Sequence, residues 1–361
     1  MSSVRKVAAE AGVSPSTVSR IFNNEPDVDE KTRERVLAVA NKIGYAPKIG
    51  RRINTILGVG LAQSGPRDLG TFEGALVAGA AHGCREAGFH VAVVDIMSER
   101  RPREAFTHFF ARIGVRGVLL RRLPSLERLL DDLVRESFPH VLVADRSEIE
   151  GVAWIDTDSK TPSAEAVKHL LDLGHRRILL GRYSSGGVDT ADRYEGYIEA
   201  HKQAGVPIDE SLMLDCGDQF EDGARAADYA MAMPNPPTAF YMTHSMSSIG
   251  AFLRLAERGV RIPEDVSFVG FDDCDARVLT HPRMTVVRQD TFDMSHRAAK
   301  WLIDSIGDSK SEPIRVSLPG IFEVNQSTTL APGTPIRVLP DGRILVTGEP
   351  GSSRDAGDSA R

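Results

Sequence analysis

Four residues in the stretch AEAGVSPSTVSRIF, residues 9–22, have side chains suited to contacting a nucleic acid. Ser16, Thr17 and Ser19 carry hydroxyl groups, which both donate and accept hydrogen bonds. The guanidinium group of Arg20 is long enough to reach a phosphate or the O6 and N7 atoms of a guanine. Small side chains also let a helix backbone approach a duplex closely. These residue types therefore predict contacts with DNA phosphates and base edges.

Three short helices are predicted to position these side chains. Apolar residues at three- and four-residue spacing predict a helix over residues 4–11, which Gly12 ends. Ser14 is a suitable cap for a second helix over residues 15–23, and Asp29 for a third. Two helices joined by a tight turn and braced by a third are typical of helix-turn-helix domains, in which the second helix enters the major groove.

The basic charge of the chain is concentrated in the same segment. Residues 1–52 contain ten Lys and Arg against six Asp and Glu, a net charge of +4. The remaining 309 residues contain 34 against 44, a net charge of −10. This asymmetry favours a nucleic-acid partner for the N-terminal segment, and a solvated basic surface is the alternative.

Length and composition limit the remaining possibilities. A chain of 361 residues with 41% hydrophobic content predicts at least two globular units. Cys84, Cys216 and Cys274 are far apart and lie in no metal-ligand pattern, so we expect no disulfide, no metal and no cofactor. No window approaches the eighteen apolar residues of a membrane span, and no export signal is recognised. We therefore expect a cytoplasmic protein without a membrane partner.

The rest of the chain alternates between two kinds of segment. Apolar, β-rich runs occupy residues 56–61, 90–94, 115–120, 140–143, 177–180, 238–242 and 266–271. Helical segments include residues 73–87, 126–136 and 160–173. The alternation predicts an α/β fold of parallel sheets flanked by helices, and so many strands require two sheets. A ligand is then expected in a cleft between two lobes, beyond the carboxyl ends of the strands.

Residues 4–47, VRKVAAEAGVSPSTVSRIFNNEPDVDEKTRERVLAVANKIGYAP, resemble the DNA-binding domain of the lactose/galactose repressor (LacI/GalR) family along essentially their whole length. The resemblance implies a helix-turn-helix domain over residues 1–47 that binds a palindromic double-stranded DNA operator. It implies base contacts by Pro15, Ser16 and Arg20 and phosphate contacts near Thr17, Ser19 and Asn23, and Ser14 completes the predicted DNA-binding set. Apolar contact is the only means by which the Pro15 side chain could read a base.

The resemblance continues through HLLDLGHRRILL (169–180), DRYEGYIEAHKQAGV (192–206) and GVRIPEDVSFVGFDD (259–273) and covers about residues 3–330. It implies a two-lobed, periplasmic-binding-protein-like sensor over residues 57–330 that binds a small molecule, usually a sugar or a nucleobase. The positions that match ligand-contacting residues of the family are Phe72, Asp158, Arg193, Asp272 and Gln289. Carboxylates and a forked guanidinium suit the hydroxyl groups of a sugar.

Two departures from the family pattern bear on the ligand. In THSMSSIG (243–250), His244 and Ser245 stand where the family has an Asn-Asp pair, so one acidic group is lost. Arg121, Arg122 and Arg182 lie at predicted carboxyl ends of strands. We therefore add Arg121 and His244 to the predicted effector-binding residues and expect an anionic ligand, such as a sugar acid or a sugar phosphate. Exposed arginines without a ligand are the alternative for Arg121 and Arg122.

The segment that joins the two domains is short. Members of the family usually place a hinge helix there, but only ten residues, 48–57, separate Pro47 from Gly58. We therefore predict a linker over residues 48–56 without a hinge helix. Arg51 and Arg52 are predicted to follow the minor groove of the operator, and a solvated tether is the alternative.

Residues 331–361 form a tail rich in Pro, Gly and Ser. Two short apolar runs, 336–339 and 344–347, flank a Pro-Asp-Gly turn and predict a small hairpin, after which we expect a disordered end. The tail lacks the leucine heptads of a tetramerisation helix, so we expect a homodimer.

Two other classes of protein share a fold of this kind. A solute-binding protein of a transport system would not carry the N-terminal helical domain. A carbohydrate-active enzyme would need catalytic groups, yet neither Asp272–Asp273 nor His244–Ser245 comes with a third orienting residue or a metal-ligand spacing. We therefore expect that the protein is not an enzyme. We expect a transcriptional repressor, and a sugar-like effector is expected to control its affinity for the operator.

Overall fold

The computed structural model describes residues 4–22, 28–45, 55–61, 71–121, 126–183, 187–272, 275–307, 311–346 and 353–354. The chain divides into two compact units, the first formed by residues 1–69, 76–155 and 292–315 and the second by residues 70–75, 156–291 and 316–361. Among the helices of the described ranges, none combines the length and the apolar character that crossing a membrane requires.

Three helices form an N-terminal domain: α1 (Val4–Ala11), α2 (Pro15–Phe22) and α3 (Glu30–Lys42). Gly12 has a φ of +64°, a conformation that glycine adopts without strain and that turns the chain sharply between α1 and α2. The Asp29 carboxylate accepts a hydrogen bond from Thr32 N at 3.0 Å and so begins α3. Apolar side chains from all three helices form one small core: Val7, Ala8, Ala11, Val18, Ile21, Val36 and Ala40. The three predicted helices are thus confirmed.

The following residues alternate strands with helices. The strands are β1 (Ile56–Leu61), β2 (His90–Asp95), β3 (Val115–Leu120), β4 (His140–Val143), β5 (Ala153–Asp158), β6 (Ile178–Arg182), β7 (Met213–Asp215), β8 (Ala239–Met242), β9 (Ser267–Asp272), β10 (Thr285–Arg288), β11 (Arg315–Pro319) and β12 (Ile321–Glu323). The helices are α4 (Thr71–Glu86), α5 (Ile96–Glu99), α6 (Phe106–Ile113), α7 (Leu126–Arg135), α8 (Lys160–Asp172), α9 (Val188–Ala204), α10 (Phe220–Ala232), α11 (Ser245–Glu257) and α12 (Thr291–Gly307).

These strands form two six-stranded sheets. The first has the order β11-β5-β4-β3-β1-β2 and the second the order β12-β10-β9-β8-β6-β7. Neighbours from β1 to β5 and from β6 to β10 pair in parallel, whereas β12 pairs antiparallel with β10. Helices cover the strands, and side chains such as Leu119 in the first sheet and Phe240 in the second are completely buried. The predicted α/β class with two parallel sheets is confirmed.

The C-terminal segment adds a small antiparallel sheet, β13 (Ile336–Val338), β14 (Ile344–Val346) and β15 (Ser353–Arg354). The first two strands lie where the sequence predicted a hairpin. Ile336, Val338 and Ile344 are buried in the core of the second unit together with apolar residues of α10 and α11. The segment is therefore part of that unit and not an appended tail. The prediction of a disordered end is wrong for the two residues of β15, which pair with β14.

The N-terminal domain packs against α6 within the first unit. His108 of α6 is buried, and its Nε2 atom donates a hydrogen bond of 2.9 Å to the carbonyl oxygen of Tyr45. The Phe22 ring at the end of α2 packs edge-on against both rings, with centroid distances of 5.7 Å to Tyr45 and 6.0 Å to His108. This cluster connects the end of α2 and Tyr45, three residues after α3, with α6.

Candidate functional site

The α2 helix is positioned by its cap and by its buried face. Ser14 Oγ accepts a hydrogen bond from Thr17 N at 3.0 Å, which satisfies an otherwise unpaired backbone donor of the first turn. Val18 and Ile21 are buried against α1 and α3. The buried Arg33 guanidinium of α3 donates to the Ile21 carbonyl oxygen at 3.4 Å. These contacts fix the rotation of α2 about its axis.

The opposite face of α2 carries the predicted DNA-binding residues. Pro15, Ser16, Ser19 and Arg20 are exposed, and their spacing places them on one side of the helix. Thr17 is half-buried, and its hydroxyl oxygen lies 2.8 Å from Ser14 Oγ. The structure thus brings six of the nine predicted DNA-binding residues together on α2 and its cap. The other three, Asn23, Arg51 and Arg52, lie outside the described residues.

A second group of polar residues lies along one edge of the second sheet. Because β6, β8, β9 and β10 are parallel, their carboxyl ends meet at this edge. The residues at or directly after these ends are Arg182, Tyr183, Thr243, His244, Asp272 and Gln289. We call this group the carboxyl edge. Of the predicted effector-binding residues, it contains His244, Asp272 and Gln289.

Arg193 of α9 extends to the carboxyl edge and is only 3% exposed. Its Nη1 atom donates to the Thr243 carbonyl oxygen at 2.7 Å, and its Nη2 atom forms an ion pair of 2.6 Å with Asp189. The guanidinium carbon lies 3.6 Å from the centroid of the Phe271 ring, within the range of a cation–π contact. Arg193 is therefore held rigidly beside the ends of β8 and β9.

Asp272 is completely buried, and its carboxylate oxygens accept hydrogen bonds from neighbouring residues. Its carboxylate accepts hydrogen bonds from Ala276 N at 3.0 Å and from Arg277 Nη1 at 2.8 Å. Burial opposes the charge of Arg277, but hydrogen bonds to Asp275, Asp272 and Glu323 outweigh it and raise the pKa of the guanidinium above its ordinary value. Gln289 N donates to the Asp272 carbonyl oxygen at 3.3 Å. Asp272 thus holds the short helical turn of Ala276–Leu279.

Aromatic rings and buried donors complete the carboxyl edge. The Tyr183 and His244 rings pack edge-on at 6.1 Å, and the Arg182 guanidinium lies 4.8 Å from the Tyr194 ring centroid. The Nε atoms of Arg182 and Arg193 are buried without a hydrogen-bond partner among the described residues. Unpaired buried donors are unfavourable, so the edge favours a ligand that accepts hydrogen bonds.

Three predicted effector-binding residues lie on other elements. Phe72 is the second residue of α4 and is buried. Asp158 ends β5, and its carboxylate accepts hydrogen bonds of 3.0 Å from Lys160 N and Thr161 N at the start of α8. Arg121 directly follows β3 in the first sheet and is half-buried. Their roles toward a ligand stay predictions.

Three aromatic residues of the site were not predicted from the sequence: Tyr183, Tyr194 and Phe271. One signal for the site was present but unused: Asp189 lies four residues before Arg193, the spacing of an ion pair on one helix face. The partners of Asp272 were not predictable in this way, because Glu323, which shares Arg277 with it, lies on a distant strand.

A helix-turn-helix domain on the same chain as a two-sheet α/β sensor defines the class of ligand-responsive DNA-binding regulators. Comparison with family models agrees with this class. Residues 3–48 match "Bacterial regulatory proteins, lacI family", and residues 167–328 match "Periplasmic binding protein-like domain". The chain thus carries a lacI-family helix-turn-helix domain and a periplasmic-binding-protein-like domain.

Relatives of similar length support the assignment. The chain is 28% identical to the HTH-type transcriptional regulator DegA of Bacillus subtilis, over 90% of this chain and 97% of that protein. It is 25% identical to the probable HTH-type transcriptional repressor ExuR of the same species, over 91% and 98%. The solved structure of the transcriptional regulator CelR in complex with cellobiose matches with a TM-score of 0.66 and 29% identity, over 91% of this chain and all of that one.

Proposed function

We propose that this regulator represses transcription by binding a palindromic operator as a homodimer and that a sugar-like effector at the carboxyl edge controls its affinity for DNA. The exposed face of α2 is the observation that carries the proposal. Pro15, Ser16, Ser19 and Arg20 project from a helix whose opposite face is fixed in the core, as insertion into a major groove requires.

The residues of this face have distinct roles. Arg20 contacts a guanine through two parallel hydrogen bonds, while Ser16 and Pro15 contact neighbouring base edges. Thr17, Ser19 and Asn23 contact phosphates, which position the helix without reading the sequence. Arg51 and Arg52 follow the minor groove beside the palindrome centre. A protein that acts on chromosomal DNA in this way is cytoplasmic.

Exposed apolar residues of the second unit support the homodimer. Val278 and Leu279 are 51% and 86% exposed in the short helical turn after β9, and Leu253 of α11 is also exposed. Large apolar side chains at the surface are stabilised when a partner covers them. A second copy of the chain is the partner that a palindromic operator requires.

The chemistry of the carboxyl edge supports a sugar-like effector. Hydroxyl groups accept hydrogen bonds from the unpaired Nε atoms of Arg182 and Arg193, and sugar ring faces pack against aromatic rings such as that of Tyr183. The transcriptional regulator CelR, which matches 91% of this chain, was solved in complex with the sugar cellobiose. A carboxylate or phosphate on the sugar would pair with the arginines more strongly than a hydroxyl group.

Mobility shifts on fragments around the protein's own gene test the DNA-binding part of this proposal. We expect one fragment to be retarded in the presence of excess competitor DNA and a panel of sugars to change that retardation. Neutral sugars and the matching uronates are compared, and Arg193→Lys serves as the variant with a weakened carboxyl edge. Retardation of every fragment alike contradicts specific operator recognition. A sugar response that Arg193→Lys leaves unchanged contradicts the assigned effector site.

A further inference from the structure

Two histidines and a glutamate converge on the surface of the first unit. His82 and Glu86 lie one turn apart on α4, and His296 lies on α12. One possible ligand atom from each of the three side chains lies within 4.8 Å of the other two. None of these three side chains has a role in the DNA binding or effector binding proposed above.

Close helix packing brings these side chains together. A Cβ atom on Gly79 would lie 2.2 Å from the Phe292 carbonyl oxygen, and one on Gly83 would lie 2.9 Å from that of His296. The two glycines therefore let the backbones of α4 and α12 approach more closely than any other residue would permit. His82 and Glu86 flank this contact, so their positions relative to His296 are set by the backbone and not by flexible loops.

The spacing of the atoms suits a transition metal. His82 Nδ1 and His296 Nε2 each lie 3.4 Å from the same oxygen, Glu86 Oε1. Metal–ligand bonds of about 2.0–2.1 Å in a tetrahedral site place neighbouring ligand atoms about 3.4 Å apart. Both nitrogens are buried and form no hydrogen bond in the part of the chain that is described. The remaining pair, His82 Nδ1 and His296 Nε2, lies within 4.8 Å.

The second carboxylate oxygen has a separate partner. Lys300 Nζ lies 3.0 Å from Glu86 Oε2 and donates a hydrogen bond to it. This contact holds one oxygen of the carboxylate, while the other, Oε1, lies 3.4 Å from each histidine. Hydrogen bonds of this kind orient ligands in metal sites. The side chains of His82 and Glu86 are each 41% exposed, so an ion can enter from solvent.

We propose that His82, Glu86 and His296 bind one divalent transition metal ion of the zinc class. Two imidazole nitrogens and one carboxylate oxygen favour Zn²⁺, Co²⁺ or Ni²⁺ over Mg²⁺ and Ca²⁺, which prefer oxygen ligands. Water completes the coordination shell. The ion links α4 to α12, two helices more than two hundred residues apart in the chain, and so stabilises the first unit.

Zinc titration of the full chain tests the site. The protein, free of affinity tags and treated with a chelator, is titrated with Zn²⁺ against a chromophoric competitor. We expect one high-affinity Zn²⁺ per chain and at least a tenfold loss of affinity in each of His82→Gln, Glu86→Gln and His296→Gln. His90→Gln, which changes an exposed histidine of β2, is the matched control and keeps full affinity. Equal affinity in the wild type and in the double variant His82→Gln/His296→Gln overturns the proposal.

Cobalt substitution provides an independent readout. Co²⁺ in the wild type should give the intense visible bands of four- or five-coordinate nitrogen and oxygen ligation, without the near-ultraviolet band of thiolate ligands. Zn²⁺ should also raise the thermal unfolding midpoint of the wild type and not that of the double variant. Circular dichroism of the metal-free variants checks that they fold. A thiolate band would assign the binding to cysteines. An unfolding midpoint that Zn²⁺ raises equally in the wild type and the double variant would assign it to another place, and either result refutes the site.

Discussion

Replacing Arg20 by Ala removes the side chain to which we assign the strongest base contact. Arg20 is exposed on α2, and the neighbouring Val18 and Ile21 fill the core, so the substitution leaves the packing of the N-terminal domain intact. Alanine also has a higher helix propensity than arginine. Loss of a bidentate guanine contact costs about 1–3 kcal/mol per half-site, or about 2–6 kcal/mol for a dimer on a palindrome. Loss of the contact in one half-site alone corresponds to a roughly 5- to 150-fold weaker operator affinity.

Fluorescence anisotropy with an operator duplex and a scrambled duplex, each at two salt concentrations, measures this effect. A base contact predicts that operator affinity falls while affinity for the scrambled duplex changes little. A phosphate contact predicts that both affinities fall equally and that the slope of log affinity against log salt decreases by about 1 per phosphate. Arg35→Ala removes an exposed arginine of α3 and is the control. A parallel loss for both duplexes would refute the assignment of Arg20.

Three further outcomes are expected. Ile344→Ala should lower the free energy of unfolding in urea by about 2–5 kcal/mol, because Ile344 is completely buried. Ile321→Ala, at a 44% exposed position, is the control and should change this free energy little. Equal effects of the two substitutions would contradict the packing of the hairpin. Burial lowers the pKa of His175 to about 4, so only the unfolded chain gains a proton as the pH falls below about 6.5. Stability should therefore drop by about 2 kcal/mol between pH 6.5 and 5, and His175→Gln should reduce that slope. Replacing Arg51 and Arg52 by Ala should reduce the salt slope of operator binding by about 2; an unchanged slope identifies a passive tether.

The sequence predicted those elements whose signals are local. Gly12 ends α1, Ser14 caps α2 and Asp29 caps α3, and both α1 and α2 form within one residue of their predicted bounds. The strands predicted from apolar runs also form. Five strands were not predicted: β5, whose sequence AWIDTD contains two carboxylates, and the short strands β7, β10, β11 and β12. These strands form because a neighbouring strand pairs with them, and a propensity scan does not detect such partners.

At the carboxyl edge, too, the contacts between single residues were not predicted from the sequence. Arg193 and Asp272 were assigned to a ligand from the family resemblance, and the structure places both beside the ends of β8 and β9. Their present partners are Asp189 and Arg277, and each pair satisfies part of the hydrogen-bonding capacity that a ligand would use. The unpaired Nε atom of Arg193 is the observation that supports our assignment of this residue to ligand binding.

The proposed metal site is the feature that sequence reasoning was least able to predict. His82 and Glu86 have the spacing of one helix face, yet that spacing is common in helices and by itself indicates only a weak ion pair. The third ligand, His296, lies on α12, with which the chain returns to the first unit after five of the six strands of the second sheet. Only the close approach of α4 and α12 at Gly79 and Gly83 places it 3.4 Å from Glu86. Because the glycines determine the ligand spacing, Gly83→Ala should weaken Zn²⁺ binding although no ligand is changed, and an unaltered affinity would show that the site does not depend on this packing.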